Sequence, residues 1–182
     1  MRRYDSGKVQ DQLLNQLEQK EKKVAFQRDR FLKFKLPEIC SRLGQALLMD
    51  KVVEMENPTG LNTILEQGLQ KMLRLNEFDY KYFIAPLRDL IAKPNPISIF
   101  ITQYILETVI QDPAVVDIFG TDQEIYKVVN KVISQINQKF EKTEEEILEQ
   151  LSHNKSLTPG SREYDIALDQ LVRKRLGEPQ KV

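Results

Sequence analysis

A single cysteine and a single histidine occur among the 182 residues, so neither a disulfide framework nor a zinc site of the cysteine/histidine type can be built. The 7 glycines stand alone, which excludes a G-x-G-x-x-G turn and a Walker A phosphate loop. No Asn-Gly or Asp-Gly pair marks a tight hairpin. No stretch approaches the roughly 18 consecutive apolar residues of a membrane span. The most apolar segment, 97–110, is interrupted by Ser98, Thr102, Gln103, Glu107 and Thr108, and reads as a buried core helix. The opening Met-Arg-Arg-Tyr-Asp-Ser-Gly-Lys carries no apolar run of the kind a secretory signal needs. With Cys40 the lone thiol, the expectation is a cytoplasmic protein.

Net charge is absent too. Lys and Arg total 27 and Asp and Glu total 27, which argues against a grip on nucleic acid by the whole molecule. The balance is uneven along the chain. Residues 1–35 hold ten basic and five acidic side chains, whereas 36–182 hold 17 and 22. A basic arm on a mildly acidic body is the pattern.

What is present is helical periodicity. Hydrophobic residues make up 41% of the chain, enough for a core. Val9, Leu13, Leu17 and Val24 share one face of a long amphipathic helix over 8–34, continued by Phe26, Phe31 and Phe34. Pro37 suits the first position of a fresh helix carrying Ile39, Leu43, Ala46 and Leu47. Val52 and Val53 suggest a short extended piece near 51–56, for which the sequence offers no partner strand. Leu61, Ile64, Leu65, Leu69, Met72 and Leu73 form the next stripe, with Gly68 a weak point. A segment over 80–92 follows, which Pro86 should kink or divide. Pro94-Asn95-Pro96 is the clearest breaker.

Beyond the breaker, the helix over 97–111 is the expected hub of the core. Asp112-Pro113 is read as the start of a helical turn over 114–119 that Gly120 stops. Thr121 with Glu124 forms a capping box for a long helix, and Thr143 with Glu146 a second box at which the chain could restart. The last helix runs from Ser161 to Gly177, acidic in its first turn and basic in its last. The expected fold is all-α, an irregular multi-helix bundle with a long N-terminal helix. Its units are a basic helix 1–35, a first half 36–93, a second half 94–177 and a frayed tail 178–182.

Ala46-Leu-Leu-Met-Asp-Lys-Val-Val-Glu-Met-Glu-Asn57, Gln111-Asp-Pro-Ala-Val-Val-Asp-Ile-Phe119, Leu157-Thr-Pro-Gly-Ser-Arg-Glu-Tyr-Asp165 and Val172-Arg-Lys-Arg-Leu-Gly177 resemble a small bacterial helical family, the domain of unknown function numbered 507. The resemblance is strongest over 97–177, and residues 1–35 look like an addition. It implies a helical, bacterial, cytosolic protein and supplies no site residues.

Candidate chemistry is thin. His153 with Glu149 and Glu146 could face a metal from one helix side, but a solvated helix end explains them better. Cys40 could be a nucleophile beside His153, yet a small buried thiol is the stronger reading. Glu144, Glu145, Glu146 and Glu149 read as a solvated acidic face. Thr158-Pro-Gly-Ser-Arg162 could present a helix N-terminus to an anion, or simply be a capped loop. The most suggestive surface is Lys20, Lys22, Lys23, Arg28, Arg30, Lys33 and Lys35 interleaved with phenylalanines. The expectation is therefore a non-enzymatic interaction or scaffold protein with no cofactor and no membrane. It docks a protein partner or a second copy through the N-terminal helix, as a coiled coil would. Nucleic-acid binding by the same helix is the alternative.

Overall fold

The computed structural model describes residues 6–179; for residues 6–8 and 18–29 the backbone alone is described. Six α-helices and one two-stranded ribbon make up the described chain: α1 (Ser6–Met49), β1 (Val53–Met55), α2 (Leu61–Arg74), α3 (Glu77–Arg88), α4 (Pro96–Glu107), β2 (Val115–Ile118), α5 (Asp122–Ser152) and α6 (Arg162–Leu176). The fold is mainly α-helical, as the periodicity implies. None of the described helices is long and apolar enough to cross a membrane.

The hub is α4. Every residue from Ile97 to Ile105 is buried, so this helix is covered on all sides, by α2, α3 and α5. Two of its buried polar members find partners at once, with Thr102 donating to the Ser98 carbonyl at 2.8 Å and Ser98 to Asn130 of α5 at 2.9 Å; the Gln103 amide donates to Glu107, while its side-chain oxygen has no partner among the described residues. Asn95 caps the helix by accepting from the Ile97 and Ser98 N–H groups, and Pro96 sits in the first turn, where its missing N–H is not needed. The breaker at 94–96 is thus a helix start inside one core. The Tyr126 hydroxyl accepts from the Asn95 N–H at 2.9 Å, and a single apolar cluster runs from Phe31 to Phe140 across it.

Three local expectations are corrected by packing. The chain does not restart at Pro37, because α1 continues through it. Phe31, Leu32, Leu36, Ile39, Leu43 and Leu47 are buried on both sides of the proline, whose ring is exposed. Packing along that seam outweighs the roughly 3 kcal/mol disadvantage of an interior proline. Thr143 does not open a new helix either. Its hydroxyl donates to the Lys139 carbonyl at 3.0 Å inside an unbroken α5, held in register by buried Phe140, Ile147 and Leu151. Residues 115–118 are a strand rather than a helical turn. β2 pairs antiparallel with β1, matching Val53 to Ile118 and Met55 to Val115 across a bulge, and is the partner the extended piece lacked. Asp112 accepts from the Ala114 N–H at 2.9 Å, making a turn rather than a helix cap, and β-branched Val115, Val116 and Ile118 favour the extended form. Gly120, at φ 102, reverses the chain into the Thr121–Glu124 capping box, which forms as expected.

α6 packs on the far end of α5 through a small cluster of Ile147, Leu151 and Val172. Ser161 caps its start and Gly177, at φ 84, ends it, both as the sequence indicates.

Candidate functional site

Two surfaces arise from the pairing of α1 with α5, and each follows from where that pairing stops. The helices run antiparallel. Arg42 donates to Gln135 at 2.7 Å, the Phe31 and Phe140 rings meet edge to face at 5.5 Å, and Arg30 lies 2.6 Å from Glu144. Continued at the same pace, α5 ends opposite roughly residue 22 of α1, so residues 6–21 reach beyond it by about 24 Å. On this free length Val9, Leu13, Leu14 and Leu17 are 50–58% exposed. Four large apolar side chains, each at least half exposed on one short helical stretch, form the first surface.

Of the basic residues read from the sequence, the side chains of Lys20, Lys22, Lys23 and Arg28 lie outside the described residues. Lys33 is exposed. Arg30 and Lys35 are engaged with the body. Arg30 pairs with Glu144, and Lys35 reaches Glu38 at 3.3 Å. Burial pushes the Glu144 carboxyl above the ordinary range, Arg30 draws it back down, and nearby Glu141 adds to the rise. Phe31 is in the core and Phe34 packs half-buried against it, so neither ring is presented to a ligand.

The second surface is an open groove of about 290 Å³ between α1 and α5, lined by Arg42, Gln135, Gln138, Lys139 and Lys142. The four α5 residues recur at helical spacing and share a face. That spacing is visible in the sequence. The contribution of Arg42 is not, because it lies on another helix 93 positions from its partner Gln135.

The remaining candidates do not assemble. Glu146 is engaged by Arg175 of α6, while His153 sits exposed, 4.0 Å from Glu149. Among the described residues no cluster of three or more His, Cys, Asp or Glu side chains could hold a metal. Cys40 is 4% exposed, and burial followed by the charge of Glu66 pushes its thiol up to about 12, so it stays protonated near neutral pH. Ser161 spends its hydroxyl as an acceptor for the Tyr164 N–H, and Arg162 is exposed beside it.

The fold is a mainly α-helical bundle with an exposed N-terminal arm and a basic groove. The family model for a protein of unknown function, domain 507, matches residues 32–178, and the chain belongs to that family. The match begins at Leu32, where α1 enters the core, and leaves the free arm outside it. No curated protein and no solved structure matches the chain.

Proposed function

We propose that this is a non-enzymatic, self-assembling interaction protein whose N-terminal arm docks onto the α5 helix of a second copy. The observation that carries the reading is the exposed stripe of Val9, Leu13, Leu14 and Leu17. The stripe itself is charge-balanced, with four Lys/Arg and four Asp/Glu over residues 1–21, and the basic surplus of the N-terminal segment begins at Lys22, at the root of the arm. The last third of α5 offers the complement: Glu141, Glu145 and Glu149 are exposed around Leu148, itself 49% exposed, at the i, i+4 spacing of one helix face. Exchange of arms between two such faces satisfies both copies with two-fold symmetry. The lone buried thiol suits a reducing compartment, and on that ground we place the protein in the cytoplasm.

The affinity is modest. Covering a half-exposed Leu or Val contributes about 1 kcal/mol, so eight such residues in a dimer contribute about 8 kcal/mol before the cost of association. Less an association cost of at least about 4 kcal/mol, this leaves a weak, concentration-dependent dimer at about millimolar protein. Sedimentation equilibrium of the full chain tests this. Leu13→Glu with Leu17→Glu should give a monomer at concentrations where the parent dimerises, with an unchanged helical circular-dichroism signal. A dimer that persists in this variant, or a parent that stays monomeric at about 5 mM, refutes the proposal. Arm-dependent capture of single-stranded RNA by a monomeric parent would instead select the nucleic-acid alternative.

A further inference from the structure

The groove between α1 and α5 has a charge imbalance that the fold itself does not resolve. On its α1 side Glu38 is shared: Lys35 reaches it at 3.3 Å and Arg42 at 3.8 Å. Across the groove Lys139 and Lys142 have no acidic partner among the described residues. Glu141, between them in sequence, is bonded by Asn137 at 2.9 Å. The lining itself holds Arg42, Lys139 and Lys142 and no carboxylate, and Glu38, which Arg42 shares with Lys35, lies outside it. Arg42 is also held in place. Its guanidinium donates to the Gln135 side-chain oxygen at 2.7 Å, which fixes the planar fork and leaves further N–H donors for a ligand. Gln138 adds a neutral donor on the same wall.

We propose that this groove binds a compact phosphate-bearing anion, gripped by Arg42, Lys139 and Lys142 and aligned by Gln135 and Gln138. The chemistry fits the set. Arg matches phosphate oxygens two at a time, and lysines add point charge. Size and boundaries favour a small ligand over a nucleic-acid backbone. At about 290 Å³ the groove lies at the lower limit of small-molecule sites. The α5 wall runs from Gln135 to Lys142, seven helical steps or about 10 Å. Beyond Lys142 the helix turns acidic at Glu144, Glu145 and Glu146, where an extended polyanion would be repelled. The site is independent of the arm's apolar stripe.

The test is a titration of the isotopically labelled full chain with inorganic pyrophosphate at low ionic strength, followed by amide chemical shifts. Saturable shifts confined to residues near 38–42 and 135–142 are expected. Lys139→Gln with Lys142→Gln should weaken binding about tenfold or more, the loss of two charged hydrogen-bond donors. Arg42→Lys should weaken it several-fold by removing the fork, and Lys155→Gln, an exposed lysine on another segment, should leave it unchanged. All four side chains are at the surface or half-buried, so thermal melts should match the parent. Shifts spread evenly over exposed lysines without saturation would overturn the proposal, as would undiminished binding in the double variant. Tighter binding of a 20-nucleotide single-stranded RNA through the same residues would overturn the compact ligand in favour of an extended one.

Discussion

Gly68→Ala tests how closely α2 and α4 approach. In an isolated helix the change stabilises, by about 1 kcal/mol, because glycine loses more backbone freedom on folding. In this bundle the new methyl would meet Tyr104 of α4, with its Cβ 2.6, 2.7 and 2.8 Å from the Cε1, Cδ1 and Cζ ring atoms. Ordinary carbon contacts lie near 3.5–4.0 Å, so the ring would have to retreat by about 1 Å. It has nowhere to go: Tyr104 is 4% exposed and stacks with Phe100 at 6.4 Å, which in turn packs against Phe83 at 4.8 Å. Overpacking of this kind costs about 1–3 kcal/mol, and three ring atoms in simultaneous conflict put the value near the upper end. The net loss is about 2 kcal/mol. Urea unfolding, with a slope of about 2 kcal/mol/M, should therefore show a midpoint about 1 M lower and an unchanged slope. In a Tyr104→Leu background the conflict is gone, and the same Gly68→Ala change should be neutral or stabilising by about 1 kcal/mol. A single variant as stable as the parent, or an equal loss in both backgrounds, would refute the close approach.

Two further outcomes follow from buried ionisable groups. The Glu144 carboxyl is raised above its ordinary value of 4.5 by burial, so the folded state holds its proton more tightly than the unfolded chain does. Its contribution is full below that range and is lost as pH rises through the folded value. The stability of the parent relative to Glu144→Gln should accordingly fall as pH increases from 4.5 towards neutrality, and a difference curve that is flat or rises would contradict the assignment. Cys40, buried and pushed up to about 12, should resist thiol reagents at pH 8 in the native protein and react fully in denaturant; rapid native labelling would show that the α1–α2 seam opens.

Features with short-range causes were legible in the sequence. The Thr121–Glu124 box, the Ser161 cap and the Gly177 stop each depend on residues within one helical turn, and each forms where the pattern puts it. The misreadings share the opposite property. Pro37 and Thr143 look like breaks locally, and only the long buried seams of α1 and α5 carry the helices through them. The segment 115–118 carries a strand composition behind a helix-like Asp-Pro start, and its partner lies some sixty residues earlier, beyond the reach of any window. Gly68 read as a weak point because nothing in its own helix explains it; Tyr104 does. The arm's stripe was visible because amphipathic spacing is local. The groove was half visible, since the four α5 residues share a periodicity while Arg42 joins them only through the antiparallel register.

The zero net charge acquires a spatial meaning once that register is known. Arg30, at the inner end of the basic arm, pairs with Glu144 at the point where α1 enters the bundle. On α5 the balance of charge shifts at the same place: the stretch from Lys127 to Lys142 holds four lysines and one carboxylate, Glu141, and beyond it Glu144, Glu145, Glu146 and Glu149 follow without a further Lys or Arg in the helix. Few alternating i, i+4 pairs result, each worth about 0.3–0.5 kcal/mol. Arg175 from α6 meets Glu146, and Arg30 from α1 meets Glu144, so part of the acidic end is neutralised within the fold. The two proposed contacts therefore fall at neighbouring places on one helix: an anion beside Lys139 and Lys142, and the N-terminal segment of a second copy beyond the junction.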